Sequence, residues 1–341
     1  MILQWLILSG ILFLAFMPIS ILLGSRYILD VPNHRKIHKK SIPRSGGIAF
    51  FLALFFILAI NSQFRNILIP FTTLFIIGIL DDIYNLPAKL KLFGQITVSL
   101  LTYFLGFQLT NFLGLELGTF MSLVVTLFWL VGSMNTINLI DGLDGLASSI
   151  TIVNMFFLLV LGIVTQSSYA IFISAVILTM TVIFYQYNKA PAKIFLGDSG
   201  SLQLGYFIGI TSLHLVQGSS LNLLGIILIL FIPIADSFWA IFRRVLKKKS
   251  IFEADRGHIH HQILDCGMST LGTCRFIYVL SIISGILGVI VCYFNNMAGN
   301  LFGVAAMMAL MLLTYRPSWI AQRMVLKISA KEVGAAKQTD E

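Results

Sequence analysis

Residues 3–24, LQWLILSGILFLAFMPISILLG, carry no charged side chain. A run of this length matches the roughly 20 apolar residues that a helix needs to cross the hydrocarbon core of a bilayer. Ten more apolar stretches follow, near 46–62, 66–80, 92–110, 118–137, 147–166, 169–187, 201–217, 221–241, 275–294 and 299–315. Of the 341 residues, 57% are hydrophobic and 11% charged, against about 25% charged in soluble domains. The chain therefore reads as an all-α integral membrane protein with about eleven transmembrane helices. No Lys or Arg precedes the first run, which reads as a retained anchor rather than a cleaved leader.

Eleven crossings put the termini on opposite sides, so alternate loops share a face. Segments 25–45, 81–91, 138–146, 188–200, 242–274 and the residues from 316 hold or adjoin 22 of the 23 Lys and Arg, and the other set holds only Arg65. The positive-inside rule makes the basic set cytoplasmic, with the N-terminus outside and the C-terminus in the cytoplasm. Residues 1–315 then form one polytopic domain, and 316–341 a basic cytoplasmic tail. The net charge of +9 is a topological signal that also attracts anionic headgroups, and it implies no nucleic-acid partner. Cys266, Cys274 and Cys292 lack metal-ligand spacing and suggest no disulfide framework.

The acids gather on the same face, although the positive-inside rule asks nothing of them. An Asp at the centre of a spanning helix costs about 2.5–3.5 kcal/mol. Wet loops explain Asp340 and Glu341, but not acids set beside Gly and Asn in short connections. In GILDDIYNLPAKLKLFGQ (78–95), Asp81 and Asp82 end a span at the negative pole of the helix dipole. Such a position calls for a cationic counterpart, either a divalent ion or Lys89 and Lys91. In NLIDGLDGLASS (138–149), Asp144 or a neighbour can cap the next helix, while Gly142 and Gly145 let backbone approach a ligand such as phosphate. IFLGDSGSLQLG (194–205) places Asp198 in a donor-rich turn before a span. Magnesium favours one or two carboxylates plus substrate phosphate oxygens, which makes Asp198 the leading metal ligand.

ADRGHIHHQIL (254–264) sets His258, His260 and His261 beside Arg256. No thiol stands nearby, so an anion grip, with a diphosphate as its ligand, is preferred to zinc. DVPNHRKIHKKSIPRSGG (30–47) carries Arg35, Lys36, His38, Lys39, Lys40 and Arg44. Its Pro43, Gly46 and Gly47 describe a shaped turn against a helix, a pocket wall rather than a loose tether.

The ordered series DVPNHRKIH, IPRSGG, GILDD, KLKLFGQ, NTINLIDGLDGLA, FLGDSGS and RGHIHH resembles the polyprenyl-phosphate N-acetylhexosamine-1-phosphate transferases, a glycosyltransferase family 4 lineage, over about residues 30–265. The branch it is similar to is the bacterial WecA/TagO type. The resemblance implies transfer of a sugar-1-phosphate, foremost GlcNAc-1-phosphate, from a UDP-sugar to undecaprenyl phosphate. UMP is released, magnesium is required with manganese as its substitute, and the setting is the cytoplasmic face of the bacterial inner membrane.

By the same resemblance Asp198 ligates the metal, one of Asp81 and Asp82 deprotonates the lipid phosphate, and Asp141 and Lys91 join them as catalytic residues. Asn138 and Asp144 fall in the nucleotide-sugar motif, and His258, His260, His261 and Arg256 hold phosphates. Partners are then the two substrates and the lipid bilayer, with a homodimer left open. Two positions depart from the pattern: Asn85 stands where many members carry an acid or lysine, and Arg44 where many carry a smaller residue. Rival readings are a UbiA-type prenyltransferase, in which GDSGS and HIHH would have no purpose, and a transporter, which would carry midplane ionisable groups and an internal repeat.

Overall fold

The computed structural model describes residues 2–31, 41–112, 115–218, 221–250, 257–294, 296–318 and 321–322. Most of the tail expected over 316–341 lies outside the described residues, as does most of the basic loop with Arg35, Lys36, His38, Lys39 and Lys40. The described chain is helical almost throughout. Its helices are α1 (Ile2–Tyr27), α2 (Gly46–Ile60), α3 (Leu68–Tyr84), α4 (Ala88–Phe104), α5 (Thr119–Ile140), α6 (Leu146–Val164) and α7 (Ser168–Asn188). They continue with α8 (Gly197–Gly218), α9 (Leu223–Ile229), α10 (Phe231–Leu246), α11 (Ile259–Leu264), α12 (Thr270–Tyr293) and α13 (Met297–Tyr315). The strands form only two-residue ribbons, β1 (Leu29–Asp30) antiparallel to β2 (Ile42–Pro43) and β3 (Asn111–Phe112) antiparallel to β4 (Leu115–Glu116).

Each of the eleven apolar stretches contains a helix, so this is a multi-pass, all-α membrane protein. Seven helices are long and apolar enough to cross a bilayer alone, namely α1, α3 with its 3-10 lead-in, α5, α6, α7, α12 and α13. The ninth stretch breaks into α9 and α10, which meet at 82°. Leu230 at the break has φ −93° and ψ 11°, outside helical geometry, and Pro233 supplies no backbone N–H to the first turn of α10. The helices α2, α4 and α8 are either short or carry polar ends.

Burial explains the arrangement. α8 packs against α2, α3, α5, α6 and α7, and Leu202, Leu204, Tyr206, Phe207, Ile208 and Ile210 are sealed on all sides. A helix buried on every side, its polar residues included, sits at the centre of the bundle. By contrast α1 buries only Ser9, Phe13, Met17, Ser20 and Gly24, a stripe recurring every three or four residues, and leaves Leu3, Ile7, Ile11, Leu14 and Leu22 facing outward. In water that outer row would be a liability; in lipid it costs nothing. The polar start of the central helix is thereby held where several helix ends meet.

Candidate active site

Asp198 lies in the first turn of α8, and three other segments converge on it. The strand-like stretch before α2 is clamped along 195–196: Phe195 N–H donates to Pro43 O (2.8 Å), Gly46 N–H to Phe195 O (2.9 Å) and Gly47 N–H to Leu196 O (2.9 Å). A Cβ on Gly47 would sit 2.3 Å from Gly200 N, and one on Gly78 of α3 2.4 Å from Ser199 Cα. Only glycine admits backbones this close.

The adjacent acids of α3 then find partners across the interface. Asp82 accepts from the backbone N–H of Asp198 (2.7 Å) and of Ser199 (2.9 Å). Its unfavourable place at the C-terminus of α3 is thus a favourable one at the positive N-terminus of α8. Asp81 accepts from Leu86 N–H (2.7 Å) and from Lys91 Nζ (2.8 Å). Lys91 also donates to Asp198 Oδ2 at 2.8 Å, while Lys89 is exposed. Arg44 closes the cluster, with Nε 3.2 Å from Asp82 Oδ1 and a terminal nitrogen bonded to Asp198 Oδ1. Burial would lower this guanidinium, but Asp198 and Asp82 outweigh it and hold it charged.

Asp141 follows α5 beside the cluster. Burial, reinforced by Asp198, Asp82 and Asp144 and opposed by Arg44, pushes its carboxyl up to about 7. Asn138, one turn earlier, donates to Ser201 Oγ of α8 (2.8 Å). Asp144 accepts from Ala192 N–H (2.9 Å) and so ties down the connection between α7 and α8. It does not cap α6, because Gly145 occupies that cap with φ +77° and no side chain serves it. In the donor-rich turn expected at GDSGS, the leading N–H groups are taken by Asp82.

The histidine motif abuts the same loop. His260 Nε2 lies 2.4 Å from where a Cβ on Gly142 would be, so its ring rests on the residue after Asp141. Burial, with smaller contributions from His261 and His258 and against Asp236, pushes the His260 ring down to about 3, and it is neutral at physiological pH. The His261 ring lies beside it, tilted by 47° with centroids 4.3 Å apart. His258 Nδ1 meets Asp236 Oδ2 at 2.8 Å. Arg256 lies outside the described residues.

The structure thus gathers Asp81, Asp82, Lys91 and Asp198 through direct bonds, sets Asp141 beside them, and joins His260 at Gly142. Asn138 and Asp144 brace the site's walls. Two residues that the sequence reading gave no site role are prominent. Arg44 belongs to the turn expected as a pocket wall and departs from the family pattern, and that departure is its signal. Asp236 is an acid inside the apolar stretch 221–241, and that placement is itself its signal.

Comparison with known proteins identifies the family. The model of glycosyl transferase family 4 matches residues 64–216. A Bacillus subtilis (strain 168) protein described as a probable undecaprenyl-phosphate N-acetylglucosaminyl 1-phosphate transferase is 36% identical over 275 residues, covering 77% of this chain and 76% of that one. Undecaprenyl-phosphate alpha-N-acetylglucosaminyl 1-phosphate transferases of Thermotoga maritima and Escherichia coli O157:H7 are 31% identical over 243 residues and 26% identical over 337. The first alignment covers 71% of this chain and 75% of the relative, the second 89% and 88%. The matched stretch spans the GILDD, NLIDGLDG and FLGDSGS segments whose side chains meet at α8, and the chain belongs to glycosyl transferase family 4, on its WecA/TagO-like branch.

Proposed function

We propose that this protein transfers N-acetylglucosamine 1-phosphate from a UDP-sugar to undecaprenyl phosphate, releasing UMP, as the first membrane step of a surface glycan. The observation that carries the reading is the cluster at the start of α8. Asp81, Asp82, Asp141 and Asp198 face Arg44 and Lys91, and four carboxylates against two cations leave two formal negative charges. The donor set is hard oxygen alone, which suits magnesium or manganese. Among the described residues no three His, Cys, Asp or Glu side chains form a ready-made cage. Magnesium does not require one, because it is commonly held by one or two carboxylates with substrate phosphates and water.

Asp198 is the best-placed ligand, since both of its oxygens face movable side chains rather than backbone. A bound divalent ion would supply charge neutralisation for the two polyanionic substrates. Arg44 and Lys91, displaced from Asp198, are within reach of the incoming phosphates and add positive charge where the transition state gathers negative charge. Asp82, with both oxygens on backbone N–H groups, fixes the position of Asp198. Asp141 receives no hydrogen bond from a described residue, and a carboxyl near 7 is matched to accepting a proton at neutral pH.

In the direct reaction an oxygen of undecaprenyl phosphate bonds to the β-phosphorus of the UDP-sugar. The bond from that phosphorus to the bridging oxygen breaks, and UMP leaves with the oxygen and its electron pair. His258 and His261 handle diphosphate oxygens beside the neutral His260. Ends of α3 and α5 and starts of α4 and α8 share the site, as antiparallel neighbours crossing a membrane would. With the basic loops, this supports eleven crossings, an outside N-terminus and a cytoplasmic site at the bacterial inner membrane.

Purified protein incubated with undecaprenyl phosphate and a panel of UDP-N-acetylhexosamines tests the reading. Equimolar UMP and lipid-linked sugar are expected, with GlcNAc the best donor. UDP as the leaving product, or no lipid product with any donor, would overturn it. A trapped phosphoryl-aspartate would replace direct attack by a covalent route.

A further inference from the structure

We infer that Asp236 is a positioning residue for the histidine motif, fixing both the tautomer and the aim of His258. Asp236 sits in α10 and is 1% exposed. On the same helix Phe238, Ile241, Phe242 and Val245 face outward, whereas Ala240 and Arg244, four and eight residues on, share its buried face. An acid sealed at such depth persists only if its oxygens are satisfied. Both are, and both by the histidine motif: Oδ2 meets His258 Nδ1 at 2.8 Å, and Oδ1 accepts the backbone N–H of Ile259 at 2.7 Å.

The bonding dictates a protonation pattern. An ionised carboxylate has no proton to offer, so Nδ1 of His258 is the donor, and the ring's working nitrogen is Nε2. No described residue bonds to Nε2. The second bond, to Ile259 N–H, holds the start of α11, so His260 lands on Gly142 beside Asp141. One carboxylate thereby sets ring orientation, tautomer and backbone position for the whole motif. When a phosphate oxygen approaches Nε2, the Asp236 carboxylate on the opposite nitrogen holds the ring aimed at it. This last step rests on the phosphate-holding role proposed above; the tautomer does not.

The test uses full-length protein labelled with 15N-histidine and observed by NMR, with the His258 signals assigned by their loss in H258Q. Nδ1 is expected to carry a proton in the wild type. Asp236→Asn keeps an acceptor for Ile259 N–H but turns an amide donor toward the ring, so His258 is expected to move its proton to Nε2. A wild-type ring protonated only on Nε2 would overturn the inference whatever the enzyme's activity. In transfer assays D236N is expected to lose about 10- to 100-fold in kcat/KM, as when the partner orienting a working histidine is removed. In an H258Q background the same change should cost less than about 3-fold, because the two act as one unit. Losses that multiply would contradict it. Absence of transfer by the wild type would instead count against the proposed function and leave the tautomer result standing.

Discussion

Asp198 and Asp236 are both buried aspartates on helices, yet they are built for opposite tasks. The oxygens of Asp198 face Arg44 and Lys91, long side chains that are 28% and 26% exposed. Those of Asp236 face a ring nitrogen and a backbone N–H, in a side chain 1% exposed. Water can reach the cations around Asp198, and their several rotatable bonds let them leave. Nothing around Asp236 can leave without breaking α11 from α10. One region is arranged to exchange partners and the other to stay fixed, and a site that binds two polyanions in turn needs both.

The sharpest way to break this contrast is at the exchanging end. Asp198→Asn should lower turnover by more than about 10³-fold, since the charge stabilisation it anchors acts mainly in the transition state. Its thermal midpoint without substrates should stay near wild type, because no backbone group depends on it. Near-normal turnover would remove Asp198 from the metal site.

Asp141→Asn should lower turnover by about 10²- to 10⁴-fold if this carboxylate accepts the proton. It also separates charge from shape through pH. Between the unfolded carboxyl, near about 3.9, and the folded one, near 7, the folded chain binds the extra proton, so stability falls as pH rises through that window. Removing the charge should therefore raise the midpoint of the metal-free protein at pH 8, with a gain that fades toward pH 4. A gain that grows toward low pH would be wrong in sign.

Asp82→Ala should behave unlike Asp198→Asn. Two backbone donors at the start of α8 lose their acceptor, costing about 2–4 kcal/mol in thermal or denaturant unfolding, with activity lost alongside. If Asp82→Ala keeps wild-type stability, the cap across the helix interface is not holding α8. Gly142→Ala would drive a methyl into His260 and is expected to weaken UDP-sugar binding about 10-fold, read as KM with little change in thermal midpoint. The smallest change should come from Asp144→Asn. Its amide oxygen can still accept Ala192 N–H, so less than about 1 kcal/mol and less than about 3-fold in turnover are expected; a loss as large as that of Asp198→Asn would give Asp144 a direct role.

Much of this molecule was legible in its residues, for reasons that differ by region. Apolar runs near 20 residues announce spans because lipid demands an unbroken satisfied backbone, and each run contains a helix. Glycines beside acids marked the connections that carry the cluster, since close backbone approach and hard ligands leave a compositional trace. The break between α9 and α10 left little: one apolar stretch covers both, and only Pro233 hints at it. Pairing across helices left none. That Asp82 caps a helix 115 residues later, or that Asp144 serves the α7–α8 connection rather than α6, depends on packing that local pattern does not encode. Arg44 shows the middle case, visible as an odd residue but given a role only once Asp82 and Asp198 stood beside it.

The most direct measurement follows the phosphorus itself. Purified wild-type protein, given UDP-GlcNAc labelled with ³²P at the β-phosphate together with undecaprenyl phosphate and magnesium, should move the label into the lipid phase with one unlabelled UMP released for each labelled lipid. Label that stays in the aqueous phase, or that enters lipid equally fast once Asp198 is replaced by Asn, would contradict the account.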